Sequence, residues 1–216
     1  MTQVRLGGTL VAMTRHRSLV FTLLTFGLVF LEPLLGAQMA FAQEDTSVFQ
    51  PMRSGDDQTL LNSLYDDLAK APDEATATAL ADSILKVWVR SSSDTIDLLT
   101  RRAQVAMEAA DDATTLALLD AVVDIAPNFV EGWNRRATYY FTKKDYPSAM
   151  ADVQRVLALD PRHFGALSGL GAMLLGSGQD AAALDVYRRA LKVHPFLPGA
   201  KRAAKDLQVE VEGRKI

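Results

Sequence analysis

Between Val130 and Pro161 the apolar residues fall into two successive runs, each with helical spacing. In the first run Val130, Trp133, Ala137 and Tyr140 share a face. In the second, Ala149, Val153, Val156 and Leu157 do the same. Asp145, Tyr146 and Pro147 lie between the runs. Proline suits the first turn of a helix, where its missing N–H would have no partner anyway. The stretch therefore predicts a helix, a tight turn and a second helix. Two short amphipathic helices cannot hide both apolar faces from water alone, so the pattern requires more of the same on either side.

The chain supplies it. Pro127, Pro161 and Pro195 are spaced 34 residues apart and each closes an apolar run. A proline disfavours helix at the residue before it, so each marks a helix end. A fixed period of this size is the mark of a repeat architecture. The pattern resembles the tetratricopeptide repeat family, on the following residues. From Val130 the chain gives Trp133, Ala137, Tyr140, Ala149, Val153, Val156 and Pro161. From Phe164 it gives Leu167, Leu170, Gly171, Leu174, Ala183, Tyr187, Ala190 and Pro195. From Ile96 the match is looser: Leu99, Ala103, Ala106, Leu119, Val122 and Pro127, with Thr115 where alanine is usual. At the seventh repeat position, normally aliphatic, stand Arg102 and Arg136. One more period upstream, Tyr65, Leu68, Ala69, Ala81 and Leu85 fit, while Pro72, Trp88 and Ser93 depart.

The resemblance implies an all-α, right-handed superhelical stack of antiparallel helix pairs. Repeats would occupy residues 96–129, 130–163 and 164–197, after a degenerate pair over 58–94. A polar-faced helix over 197–212, with Leu207 and Val211 inward, would close the open end of the stack. In the degenerate pair, Leu60, Leu61, Leu64 and Leu68 are the expected inner face of one helix, capped by Asp56 or Asp57. Ala77, Leu80, Ala81, Ile84, Leu85 and Trp88 are that of the next, capped by Asp73. Ala137, Ala149, Gly171 and Ala183 are small where helices approach most closely. Trp133, Tyr140 and Tyr187 read as core, and emptying the Trp133 site is expected to cost about 3–5 kcal/mol.

Residues 1–42 read as a leader rather than as part of the fold. Arg5, Arg15, His16 and Arg17 precede an apolar run from Leu19 to Leu31, and Ala40-Phe41-Ala42 fits a signal-peptidase site. The start could also be Met13. Cleavage after Ala42 predicts an exported, periplasmic protein, while an uncleaved anchor would be its one route to a membrane. Residues 43–57 read as a flexible linker.

Composition narrows the chemistry. There is no cysteine, which excludes disulfides, thiolate metal sites and a lipid-modified leader. The chain carries 23 basic and 26 acidic residues, and losing the leader's three arginines and one glutamate makes the balance more acidic. That argues against nucleic acid. The histidines beyond the leader, His163 and His194, sit beside repeat-ending prolines and read as exposed turn residues. Acidic pairs such as Asp111-Asp112 read as helix caps. No P-loop, zinc-type spacing or nucleophile elbow is present, so no enzyme, cofactor, metal or small-molecule substrate is expected.

A protein or peptide partner is expected instead. The resemblance implies that the first helix of each repeat lines a concave groove. Its candidate residues are Asp97, Thr100, Gln104, Met107 and Glu108, then Glu131, Asn134, Thr138, Phe141 and Thr142, then Gly165, Ser168, Ala172 and Leu175, with Gly176 at the margin. The resemblance also offers a carboxylate clamp for a partner's terminus, but the positions concerned carry Thr100, Gln104, Arg135, Gly165 and Gly169, with a single cation. Gly165, Gly169 and Gly176 cost a helix roughly 0.8–1 kcal/mol each against alanine. They imply either close helix packing or space left for a ligand. A self-associating envelope component without a peptide ligand is the alternative reading.

Overall fold

The computed structural model describes residues 54–213. The leader, its cleavage point and most of the linker lie outside them. Among the described residues every regular element is a helix: α1 (Gly55–Leu68), α2 (Glu74–Trp88), α3 (Asp94–Glu108), α4 (Asp112–Ile125), α5 (Val130–Thr142), α6 (Tyr146–Leu159), α7 (Phe164–Gly176), α8 (Asp180–Val193) and α9 (Pro198–Glu212). From α3 to α9 each helix packs on the next in chain order, giving an all-α stack of antiparallel pairs.

The same short turn builds all three pairs. Ala110, Lys144 and Gly178 occupy the left-handed region, at φ 56°, 62° and 74°. The amides of Asp111, Asp145 and Gln179 then reach back to the carbonyls of Ala106, Tyr140 and Leu174, each at 2.9 Å. This is the Schellman ending, which satisfies carbonyls that the last helical turn would leave bare. Asp111 and Asp145 serve the following helix as well, their carboxylates accepting from the amides of Thr114 and Ser148. Each chain reversal is thus complete within three residues, and the next helix must fold back antiparallel.

The small positions are filled as tightly as expected. Ala137, Ala149, Ala183 and Gly171 are buried. A Cβ on Gly171 would stand 2.7 Å from the Tyr187 ring, and one on Gly132 would stand 2.8 Å from Val122. Trp133 departs from expectation. It is only half-buried, and its indole N–H donates to the Pro127 carbonyl at 2.9 Å. It packs on the rim of the core, so emptying it costs less than emptying a core aromatic site. The buried ring of α5 is Tyr139, which packs with Ala103 and Leu119.

The first two helices depart most. They form a pair, but α2 and α3 share no packing interface, and α1 instead touches α8. The pair docks on the connections after α6 and after α8. Leu61, Tyr65, Leu68, Ile84 and Trp88 form one core with Phe164, and Val193, Phe196 and Leu197 pack against it. α1 begins at Gly55, with Ser54 as its cap in place of Asp56 or Asp57. Leu60, Leu85 and, in α9, Val211 point to solvent rather than inward.

Both histidines correct the sequence reading, because each is buried at this docking site. The Trp88 and His163 rings stack face to face, centroids 3.7 Å apart and 8° from parallel. His163 Nδ1 accepts from the Ala166 amide at 3.0 Å, capping α7. His194 lies edge-on to Phe164, and burial pushes its imidazole below the usual histidine range. The folded state therefore holds His194 neutral. Its share of stability is intact above the unfolded value of about 6.5 and is lost as pH falls from there through the folded value. Urea unfolding at neutral and mildly acidic pH is expected to show this loss in the wild type and a flatter dependence in His194→Leu. Equal slopes would count against it.

Candidate protein-binding groove

The site is built by two neighbouring first helices. α5 presents Asn134, Thr138 and Phe141 one turn apart, and α7 presents Gly165, Ser168 and Ala172 alongside them. These six sequence-predicted residues line a single open cavity of about 400 Å³. Its floor is Ala137 and Val153 on one side and Ala166 and Met173 on the other. Beside Phe141, Tyr146 packs edge to face at 5.7 Å. Phe164 and Leu197 also line the cavity, and both belong to the core that holds the α1–α2 pair. No ionisable side chain lines it.

The glycines divide into two kinds. Gly171 relieves a clash with Tyr187, whereas a Cβ on Gly169 or Gly176 would meet nothing within 4 Å. One on Gly165 would reach ordinary contact with His163 at 3.4 Å. Helix packing therefore does not account for Gly169, whose missing side chain leaves room in the cavity.

The other predicted groove residues are engaged elsewhere. Glu131 is buried. It accepts from Asn134 Nδ2 at 3.0 Å and pairs with Arg135 at 3.2 Å. Arg135 also donates to Gln104 at 3.3 Å, and Gln104 donates to Glu108 at 2.8 Å. This chain of polar side chains is largely satisfied within itself, so it offers a ligand little. Thr100 is buried, Asp97 accepts from the Ser91 hydroxyl, and Met107 packs beside Tyr139. Thr142 donates to the Tyr139 carbonyl, while Leu175 is exposed outside the cavity. Among the described residues no group of three or more acidic or histidine side chains is placed to hold a metal.

A TPR repeat-containing protein of Rhizobium etli is 35% identical over 175 residues, spanning 81% of this chain and 83% of that protein. The chain belongs to the tetratricopeptide repeat family. No family model matches it. Mouse superkiller complex protein 3 is 30% identical over 93 residues, 42% of this chain and 6% of that protein. The crystal structure of MamA protein shares the fold, with a TM-score of 0.51 at 17% identity, over 74% of this chain and 85% of that one.

A tetratricopeptide stack is a scaffold for protein–protein contact. Sequence reasoning did not place Val153, Phe164, Leu197 or Gly169 in this cavity. Val153, on a second helix, reaches the cavity between α5 and α7. Phe164 opens α7, and Leu197 lies in the connection before α9. Only the glycine at 169 carried a visible signal, as a helix breaker kept inside a helix.

Proposed function

We propose that the cavity between α5 and α7 holds an uncharged, apolar face of a protein segment, and that the chain does so as an exported, periplasmic scaffold. The observation that carries the first part is the open space beside Gly169, walled by Phe141, Phe164 and Ala172 with no charge among them. The polar rim of Asn134, Thr138 and Ser168 suits hydrogen bonds that fix a segment's orientation, while the apolar floor supplies the affinity. Export is supported by the apolar run Leu19–Leu31 and the Ala40-Phe41-Ala42 site. It predicts a mature protein beginning at Gln43.

Gly169→Leu tests the groove. Its side chain enters open space, so the fold should keep or raise its melting temperature. A photoreactive residue placed at the exposed Ala172 should crosslink a partner in native cells. Gly169→Leu should cut that crosslink about tenfold, a loss of roughly 1.4 kcal/mol of binding. An undiminished crosslink in a normally folded variant would show that the segment binds elsewhere.

A further inference from the structure

One packing rule recurs along the stack. Leu119 of α4 clusters with Tyr139 of α5, Val153 of α6 with Met173 of α7, and Tyr187 of α8 with Leu207 of α9. Each pair lies 34 residues after the last, and all six side chains are buried. One period upstream of the first pair stand Leu85 on α2 and Val105 on α3. They keep the apolar character of the contact but not the contact itself: Leu85 is 45% exposed and Val105 65%. A second contact repeats the pattern. A Cβ on Gly132 would stand 3.7 Å from Val123, and one period upstream Val89 and Leu98 are 45% and 43% exposed. The chain thus carries both halves of one more inter-repeat interface, and they do not meet, because the α1–α2 pair is docked on the far connections.

We infer that these two faces pair between two copies of the chain, α2 of each covering the open α3 end of the other. A second copy is the occupant because it carries the complement of each face and covers both without breaking a contact of the docked pair. For α2 to stack on α3 of its own chain, Trp88 would have to leave His163, and the Tyr65 hydroxyl its 2.9 Å bond to Asp160. Pairing between copies keeps those contacts and adds the missing ones. It is reciprocal, so it closes at two subunits by a two-fold axis rather than running on into a fibre. At the other end of the stack, α9 turns Lys201, Arg202 and Lys205 outward. Those cations would face Arg101 and Arg102 in a head-to-tail arrangement, which disfavours it. The inference does not depend on the groove reading, since none of Leu85, Val89, Leu98 or Val105 lines that cavity.

The absence of native cysteine makes a direct test clean. The full chain carrying Leu85→Cys and Val105→Cys is oxidised at low concentration and run without reductant. A covalent dimer is the expected product. A disulfide closed within one chain, or thiols that stay free, would overturn the inference. Sedimentation equilibrium over about a hundredfold range of concentration should show a dimer for the wild type. Val105→Glu and Leu85→Glu should each weaken it at least about tenfold. Both sites are exposed in the single chain, so the melting curve checks that each variant still folds. Mixing the two variants should partly restore dimers, since the mixed pair keeps one interface unaltered. A wild type that stays monomeric throughout, or a variant that dimerises as well as wild type, would refute the pairing.

Discussion

Arg136→Met is expected to destabilise the stack by about 3–5 kcal/mol, the usual cost of stripping the partner from a buried charge. Arg136 holds Asp152 by two parallel bonds, Nε to Oδ2 and Nη2 to Oδ1, both 2.8 Å. Its third nitrogen, Nη1, donates to Asp120 at 2.9 Å. The guanidinium also lies over the Trp133 ring at 4.9 Å, a contact worth about 0.5–1 kcal/mol or more. One side chain on α5 therefore ties together α4 and α6. The bonds to Asp152 outweigh the cost of burial and hold the guanidinium firmly charged. Asp152 is 4% exposed, so without Arg136 its carboxylate would be left in the protein interior with nothing to balance it. The double variant Arg136→Met/Asp152→Leu should recover most of the loss, because a well-packed apolar pair can replace a buried ion pair at little cost. Urea unfolding of the two single variants and the double one gives the coupling directly. A single variant within about 1 kcal/mol of wild type would mean that the pair contributes little.

Trp88→Ala should have an effect of similar size confined to one part of the molecule. The indole is 2% exposed, stacks on His163, touches Phe164 and donates to the Tyr65 hydroxyl at 3.0 Å. That hydroxyl donates in turn to Asp160. Removing the ring empties a site worth about 3–5 kcal/mol. It also leaves the Tyr65–Asp160 bond without its neighbour. Since the α1–α2 pair is held at its docking site rather than stacked on α3, it should detach while α3–α9 stay folded. Hydrogen exchange should show protection lost over residues 55–88 and kept in α4, α6 and α8. Uniform loss along the chain would mean that the pair is an integral part of the stack.

The sequence made some of this legible and hid the rest for a physical reason. Repeat packing is local, so Ala149, Gly171 and Tyr187 recur at a fixed interval and announce their place in the core. The turns were equally readable, because Asp111 and Asp145 must both end one reversal and cap the next helix. Docking of the α1–α2 pair is not local. Tyr65 meets Asp160 across 95 residues, and Asp66 meets Arg162 across 96. Nothing periodic marks such a contact, and so His163 and His194, taken for exposed turn residues, are found buried. Arg136 is an intermediate case. It broke the expected pattern visibly, and its partners lie 16 residues away on either side, a symmetric spacing that could have identified them. In the groove, the residues that converge are those on α5 and α7. The first repeat's candidates are engaged elsewhere: Gln104 bonds to Arg135 and Glu108, Asp97 accepts from Ser91, Thr100 is buried and Met107 packs beside Tyr139.

Those contacts across 95 to 100 residues also bear on the order of folding. A stack of neighbouring pairs can assemble wherever one hairpin first forms, since each step closes only a short loop. The α1–α2 clamp must wait, because its landing sites on the connections after α6 and α8 do not exist until most of the repeats are in place. Synthesised before the repeats, it would be the last part to find its seat.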